Sequence, residues 1–301
     1  MKNSVVRSII DNTFLPNYEP IFNYFQENNF AYNNEDKIDG GFTLNFGGFD
    51  SKKLFKRNLQ TQPEDWYYRT HEVKYTLNSL GYRTKEFDDI DWKESIVVFG
   101  CSYIFGIGVS DEHTVPYFLE QLFGRPVINM GVAGSSIQTV LHNSIILNDY
   151  KYPTPKAVVN MITELHRYQV YKDDFVHHIG KWSYSSQQFE KKENIIPFNL
   201  MNVKMIRNLW KNKTIYYEGT MFPQEKLINK LDEKIYCEFL KIHNRPFENH
   251  WGLYRDLLFK IYNKSFENDR GLARDLIHKG PVKNLEIAKC IHKKLKLRLK
   301  N

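Results

Sequence analysis

The sequence predicts an α/β domain built on a parallel sheet, and three observations carry that prediction. Short apolar runs recur with glycine or proline at their ends, as in SIVVFG, PVINMG and AVVNMI. The stretches between them, TVPYFLEQLFG and SIQTVLHNSIILNDY, show helical periodicity and helix boundary residues. Strands alternating with helical patterns of about 10 to 15 residues imply parallel pairing through right-handed crossovers.

Taken in order, residues 1 to 90 are the least regular part, rich in Asn, Asp, aromatics and glycine, as in NNEDKIDGGFTLNFGGFD. They predict a short helix, then loops and short strands, with one strand at Glu72 to Leu77 and a turn at NSLGYRT. This extension is expected to pack on the core that follows. From residue 91 the α/β domain begins. SIVVFG is its first strand, ended by Gly100. TVPYFLEQLFG is a helix with Pro116 in its first turn and Gly124 as its stop. PVINMG is the second strand, and the helix after it has Val140, Ile145 and Leu147 among its apolar positions. Pro153 and Pro155 introduce the third strand, AVVNMI. Residues 168 to 270 are long and aromatic-rich and read as helical insertions and loops, with TIYYEG (Thr214 to Gly219) as a fourth strand. The closing stretch NLEIAKCIHKKLKLRL is a helix with Ile291, Leu295 and Leu299 on one buried stripe and a solvated basic face.

A chain of 301 residues, 42% hydrophobic and 15% aromatic, can bury a sizeable core. The net charge of +7, from 42 basic and 35 acidic residues, is mild and scattered. No basic groove interleaved with aromatics stands out, so nucleic acid is not an expected partner. Three cysteines, Cys101, Cys237 and Cys290, lie far apart without CxxC spacing, which excludes a disulfide scaffold and a thiolate zinc site. His177, His178, His243, His250 and His292 lack metal-ligand spacing and read as structural. No cofactor or metal is expected. The stretch MKNSVVRSIIDNTFLPNYEP has no apolar core long enough for a secretory signal and no apolar run of about 18 residues occurs, so a soluble protein, cytoplasmic or of another reducing compartment and away from membranes, is expected.

The stretch IVVFGCSYIFGIGV, Ile96 to Val109, is where chemistry enters. A phosphate-binding loop would need lysine after its second glycine, and none follows Gly106. A dinucleotide turn G-x-G-x-x-G also fails, because bulky Tyr103, Ile104 and Phe105 occupy the place where the backbone must approach a pyrophosphate. The nucleophile elbow G-x-S-x-G is half present as Gly100-Cys101-Ser102, with Ile104 in place of the second glycine. A serine nucleophile survives this comparison. Its hydroxyl is weak at neutral pH and needs an imidazole to take its proton, and the imidazole needs a carboxylate to orient it. GLARDLIHKGP supplies both as Asp275 and His278, three residues apart on one turn.

With these residues in this order the chain resembles the SGNH, or GDSL-type, hydrolase family. FGCSYIFGIGV resembles the first block of that family, with Ser102 at the nucleophile position and Cys101 in place of the usual aspartate. VINMGVAGSS resembles the second block, which puts Gly134 at the position of an oxyanion amide. DLIHKGPVKNLEIA resembles the last block, with Asp275 and His278 as acid and base. The resemblance covers roughly residues 95 to 165 and 273 to 295. It implies a flavodoxin-like three-layer sandwich and an ester-hydrolysing Ser-His-Asp site, with backbone N–H groups of Ser102 and Gly134 holding the oxyanion. The third block of the family carries an oxyanion asparagine, but here ITELHRY puts Leu165 at that place. Thr163, Glu164, His166 and Arg167 are the polar candidates nearby for substrate or oxyanion support.

The expected substrate is a small acyl ester. A carbohydrate O-acyl ester is favoured by the resemblance and by Trp182, Tyr184, Trp210 and Trp251, which could stack on a sugar or fill the core. Acyl transfer to another hydroxyl would use the same residues. The altered third block and the 90-residue extension also leave open an interaction module that keeps the fold without efficient catalysis.

Overall fold

The computed structural model describes residues 37–38, 41–149, 152–172, 175–180, 192–220 and 271–299. The first described elements form a small antiparallel sheet, β1 (Lys37–Ile38), β2 (Gly41–Leu44) and β3 (Tyr75–Leu77), ordered β1-β2-β3. Helix α1 (Lys52–Thr61) lies between β2 and β3, and the Ser51 hydroxyl caps it by accepting the N–H of Leu54. The third strand is shorter than the sequence predicts. The carbonyls of Glu72 and Lys74 are taken by Ser110 and Arg83, so residues 72–74 follow the neighbouring loop instead of a strand.

The central sheet is parallel throughout. It contains β4 (Ile96–Gly100), then, after α2 (Ser102–Phe105) and α3 (Val115–Phe123), β5 (Val127–Gly131). Helix α4 (Ile137–Asp149) leads to β6 (Ala157–Ile162). A hairpin of β7 (Tyr168–Lys172) and β8 (Phe175–Ile179) and a 19-residue helix α5 (Lys192–Trp210) precede β9 (Ile215–Thr220). Helix α6 (Pro281–Leu299) closes the chain. The spatial order β5-β4-β6-β9 is 2-1-3-4 by sequence, the order of flavodoxin-like doubly wound sheets.

Both faces of this sheet are covered at β4, β5 and β6, which explains why these strands read as largely apolar runs rather than alternating ones. Val97 and Phe99 of β4 point to one side, where Ile137 and Val140 of α4 and Val203 and Ile206 of α5 pack. Ile96 and Val98 point to the other, against Val115 and Leu119 of α3 and Ala288, Ile291 and Leu295 of α6. The path from β4 to β5 runs across the sheet in one direction and the path from β5 to β6 returns. Right-handed crossovers therefore put α3 and α4 on opposite faces, as observed. The helix boundaries follow their residues: Thr114 caps α3, Pro116 lies in its first turn, and Gly124 ends it in a left-handed conformation.

In α4, Ile145 is exposed, while Ile146 and Leu147 are buried. One stretch differs from its expected form: residues 168–172 and 175–179 pair as a β-hairpin rather than helix or loop. The expected helix near the start lies outside the described residues. Residues 66–77 contribute their own apolar cluster, Trp66, Tyr68, Val73, Tyr75 and Leu77, closed by Phe105 and Ile107 from the turn after β4. Among the described residues no helix is long and apolar enough to cross a membrane.

Candidate active site

Ser102, Gly134 and residues 163–167 follow the carboxyl ends of β4, β5 and β6 respectively. The chain moves from β4 to β5 on one side and to β6 on the other, so this edge is the topological switch point, where ligands bind in open α/β sheets.

Ser102 is the first residue of α2, with Cys101 at the N-cap. Its backbone N–H belongs to the first helical turn, which has no carbonyl four residues earlier within the helix to receive it. Two loops converge here. The turn of Val132 to Ser135 is tied to the end of β4, because the Val132 N–H and the Ser135 hydroxyl both donate to the Gly100 carbonyl, over 3.0 and 3.3 Å. Gly134 sits in that turn at φ 73°, a left-handed conformation that suits glycine.

The second loop carries Asp275 and His278. With its proton on Nδ1, His278 donates to Asp275 Oδ2 over 2.6 Å, and its Nε2 accepts from the Ser102 hydroxyl over 2.9 Å. The other Asp275 oxygen, Oδ1, accepts the backbone N–H groups of Ile277 and His278, each over 3.0 Å. One carboxylate thus shapes the turn and orients the ring. All three side chains are buried, Ser102 at 7% exposure, His278 at 5% and Asp275 at 1%. Burial would push the Asp275 carboxyl up, but His278, through its charge and ring N–H, and the two amides hold it below the usual carboxylate range. The Tyr103 ring stands 5.1 Å from the imidazole, and Lys279 lies on its other flank, 5.8 Å from the ring centroid. Burial, with Lys283 nearby, lowers the pKa of Lys279.

The polar residues of the altered third block are also drawn inward. Arg167 donates through Nε and Nη2 to Glu164 Oε2, over 3.1 and 2.9 Å, and both side chains are buried. His166 Nε2 lies 3.8 Å from the same oxygen. Glu164 and Arg167 are within electrostatic range of Tyr103, next to Ser102. Thr163 is buried at the end of β6. Leu165 points away into the core with Val97, Phe99 and Val203, so its side chain belongs to the hydrophobic layer. Asn199 of α5 fixes this loop from behind, its Nδ2 donating to the carbonyls of Leu165 and Arg167 over 2.8 and 2.6 Å.

Other sequence candidates fall elsewhere. Gly106 and Gly108 both have positive φ, 87° and 77°, in the turn after α2. Asp111 starts the short 3-10 helix Asp111–His113, and its Oδ1 accepts from Arg83 Nε at 2.5 Å. His178 lies on β8, and His292 packs edge-on against Phe123 on α6. Trp210 is buried in the core. Trp182, Tyr184, Trp251, His243, His250 and Cys237 lie outside the described residues. Among the described residues no group of three or more His, Cys, Asp or Glu is placed to hold a metal ion.

No protein-family model matches the sequence, and no curated protein matches it. Solved structures do. A protein assigned to the G-D-S-L lipolytic family, from Desulfitobacterium hafniense, is 13% identical with a TM-score of 0.37, covering 67% of this chain and 99% of its own. A GDSL-like lipase from Bacteroides ovatus is 15% identical with a TM-score of 0.34, covering 74% of this chain and 57% of its own. A lipase/acylhydrolase from Enterococcus faecalis is 17% identical with a TM-score of 0.36, covering 68% and 96%. The likeness is one of fold; the chemistry of the site is argued from its own residues.

Proposed function

We propose that the chain is a serine ester hydrolase acting on a small acyl ester through an acyl-enzyme on Ser102. The observation that carries the reading is the unbroken hydrogen-bond chain from Ser102 through His278 to Asp275 at the switch point of the sheet. Ser102 Oγ attacks the ester carbonyl carbon while His278 Nε2 takes the hydroxyl proton. Asp275 holds the tautomer and stabilises the imidazolium. The oxyanion develops against the N–H groups of Ser102 and Gly134. Collapse expels the alcohol, which receives the proton from His278. Water then attacks the acyl-enzyme with His278 as base, and the acid leaves.

Where the related family has an asparagine, Leu165 offers no polar group, and one lost oxyanion donor costs about 2.7–4 kcal/mol of transition-state stabilisation. Arg167 carries the donors for making this good, its guanidinium held by Glu164 within the loop that Asn199 ties down. A carbohydrate O-acyl ester is the favoured substrate, on the strength of the family resemblance. An alcohol in place of water would make the same intermediate an acyl donor.

A fluorophosphonate probe tests the reading. Labelling of the wild-type protein that vanishes in Ser102→Ala supports it. Absence of both labelling and p-nitrophenyl acetate turnover in folded protein would instead favour an interaction module that keeps the fold without the chemistry.

A further inference from the structure

Four residues from three parts of the chain close a ring of hydrogen bonds behind the Ser102–His278–Asp275 chain. The Gly108 N–H donates to the Tyr75 hydroxyl oxygen over 2.7 Å, and that hydroxyl donates to Asp50 Oδ2 over 2.5 Å. The Arg274 guanidinium grips the same carboxylate, Nε reaching Oδ1 and Oδ2 at 3.0 and 3.2 Å and Nη2 reaching Oδ2 at 2.7 Å. The Arg274 N–H then returns to the Gly108 carbonyl over 2.9 Å. Asp50, Tyr75 and Arg274 are all buried.

The two ends of this ring touch the two segments that must meet for chemistry. Gly108 closes the turn that starts at Ser102, whose carbonyl accepts the N–H groups of Gly106 and Ile107. Arg274 immediately precedes Asp275. Residues 274–278 form one tight unit, because the Ala273 N–H donates to the His278 carbonyl and Asp275 binds the amides of the same turn. A displacement of Arg274 therefore carries the imidazole with it. The remaining holds on Arg274 come from the segment before β3. Asn58 donates to its carbonyl over 3.0 Å, the Asn45 carbonyl accepts from Nη2, and the Phe46 and Phe55 rings cover the guanidinium at 4.4 and 5.1 Å. Burial pushes the Asp50 carboxyl up, while Arg274 and Tyr75 pull it down. Removing either partner leaves a buried polar group without compensation.

We propose that Asp50 is a positioning residue: through Arg274 and Tyr75 it fixes the segment bearing Asp275 and His278 against the turn bearing Ser102. The proposal rests on the hydrolytic reading of those three residues and assigns the segment from Asn45 to Tyr75 a part in the active site. A misplacement of about 1 Å at a reacting group can cost about 100-fold in rate, so a loosened ring should lower kcat with little change in KM.

Tyr75→Phe removes one hydroxyl and leaves the ring packing, and Asp50→Asn removes the charge. Each is compared with wild type for p-nitrophenyl acetate turnover, thermal midpoint and the downfield proton resonance of His278 Nδ1–H, assigned by its loss in His278→Gln. Well below the midpoint, Tyr75→Phe should lower kcat by about 10- to 100-fold, hold KM within about twofold, and shift or broaden the Nδ1–H resonance. If Asp50→Asn does not fold, Tyr75→Phe carries the test alone. A lower midpoint with wild-type kcat and an unchanged resonance overturns the proposal, since the ring would then only stabilise the fold. If wild type shows no turnover and no fluorophosphonate labelling, the hydrolytic reading fails separately. The resonance then decides whether the ring holds His278: unchanged in Tyr75→Phe, it overturns the positioning role as well.

Discussion

His278 Nε2 lies 2.9 Å from Ser102 Oγ, across 176 residues of sequence. Neither residue could reach the other by its own local structure. Ser102 is set by the end of a buried strand, and His278 by a turn with no regular structure of its own. The distance between them is set where the two segments touch, at Gly108 against residues 273–275.

That contact gives a direct test. A Cβ added at Gly108 would stand 2.7 Å from Ala273 Cβ, 3.1 Å from the Arg274 nitrogen and 3.3 Å from that of Asp275, at a backbone φ of 77°. The left-handed conformation alone costs a non-glycine residue roughly 1–2 kcal/mol, and overpacking adds about 1–3 kcal/mol. Gly108→Ala should therefore lower stability in urea unfolding by roughly 2–5 kcal/mol. The surviving folded protein should turn over p-nitrophenyl acetate more slowly, because the methyl pushes the Asp275 segment away from Ser102. Wild-type kcat in the variant would show that the segment can shift without moving His278.

Asp275 separates two jobs by oxygen, and its substitution should separate them too. In Asp275→Asn the side-chain carbonyl can still accept the Ile277 and His278 amides, while the NH2 group facing the ring forces the wrong tautomer. The expected result is a fall in kcat of about 10⁴-fold with the thermal midpoint nearly kept. Asp275→Ala should lose both. Comparing kcat and midpoint for the pair checks the division, and equal loss of midpoint in the two variants would argue against it.

The same carboxylate predicts an acid limb of stability. The folded pKa of Asp275 is lowered, whereas the unfolded chain protonates near the ordinary value of about 3.9. Its stabilisation is thus complete above that value and is lost as pH falls through the lower folded pKa. Urea midpoints measured from neutral pH down to about 3 should show the gap between wild type and Asp275→Ala constant at first, then narrowing on acidification. A gap that widened instead would mean that the native carboxyl is raised.

How much of this was legible beforehand depended on sequence separation. β4, β5 and β6 announce themselves because strands buried on both faces read as largely apolar runs, and Asp275 and His278 because they share one turn. Arg274 stood in the same quoted stretch, beside Asp275, yet nothing local marks it as buried. Its partner Asp50 lies 224 residues away in an irregular segment rich in Asn and Gly. Asn199 was unreadable for the same reason, since its targets are backbone carbonyls at Leu165 and Arg167. Long-range polar pairings leave no period in the sequence.

Asn199 should prove important out of proportion to its distance from the chemistry. Replacing it by Ala leaves two buried carbonyls without their donor, at about 1–3 kcal/mol each when unsatisfied. Asn199→Ala should lower stability in urea by a few kcal/mol and should lower kcat as the Glu164–Arg167 loop loosens. Asn199→Asp, which offers no N–H to either carbonyl, should be no better. Full activity in a folded Asn199→Ala would indicate that residues 164–167 do not support the reaction.

The place of Leu165 allows the sharpest contrast between sequence position and structural direction. Alignment with the related family's third block invites Leu165→Asn as a restoration of the missing oxyanion donor. The structure predicts the opposite. Leu165 is only 2% exposed and packs with Val97, Phe99 and Val203, so an asparagine there would face the core. It would forfeit roughly 1.5–3 kcal/mol of apolar burial and strand an amide in hydrocarbon at a further cost of about 1–3 kcal/mol. Leu165→Asn should therefore unfold at lower urea and gain no activity. An oxyanion donor is worth about 10²–10³-fold in kcat. A gain of that size with p-nitrophenyl acetate would mean that the loop can turn residue 165 toward Ser102, and the part proposed for Glu164 and Arg167 would have to be given up.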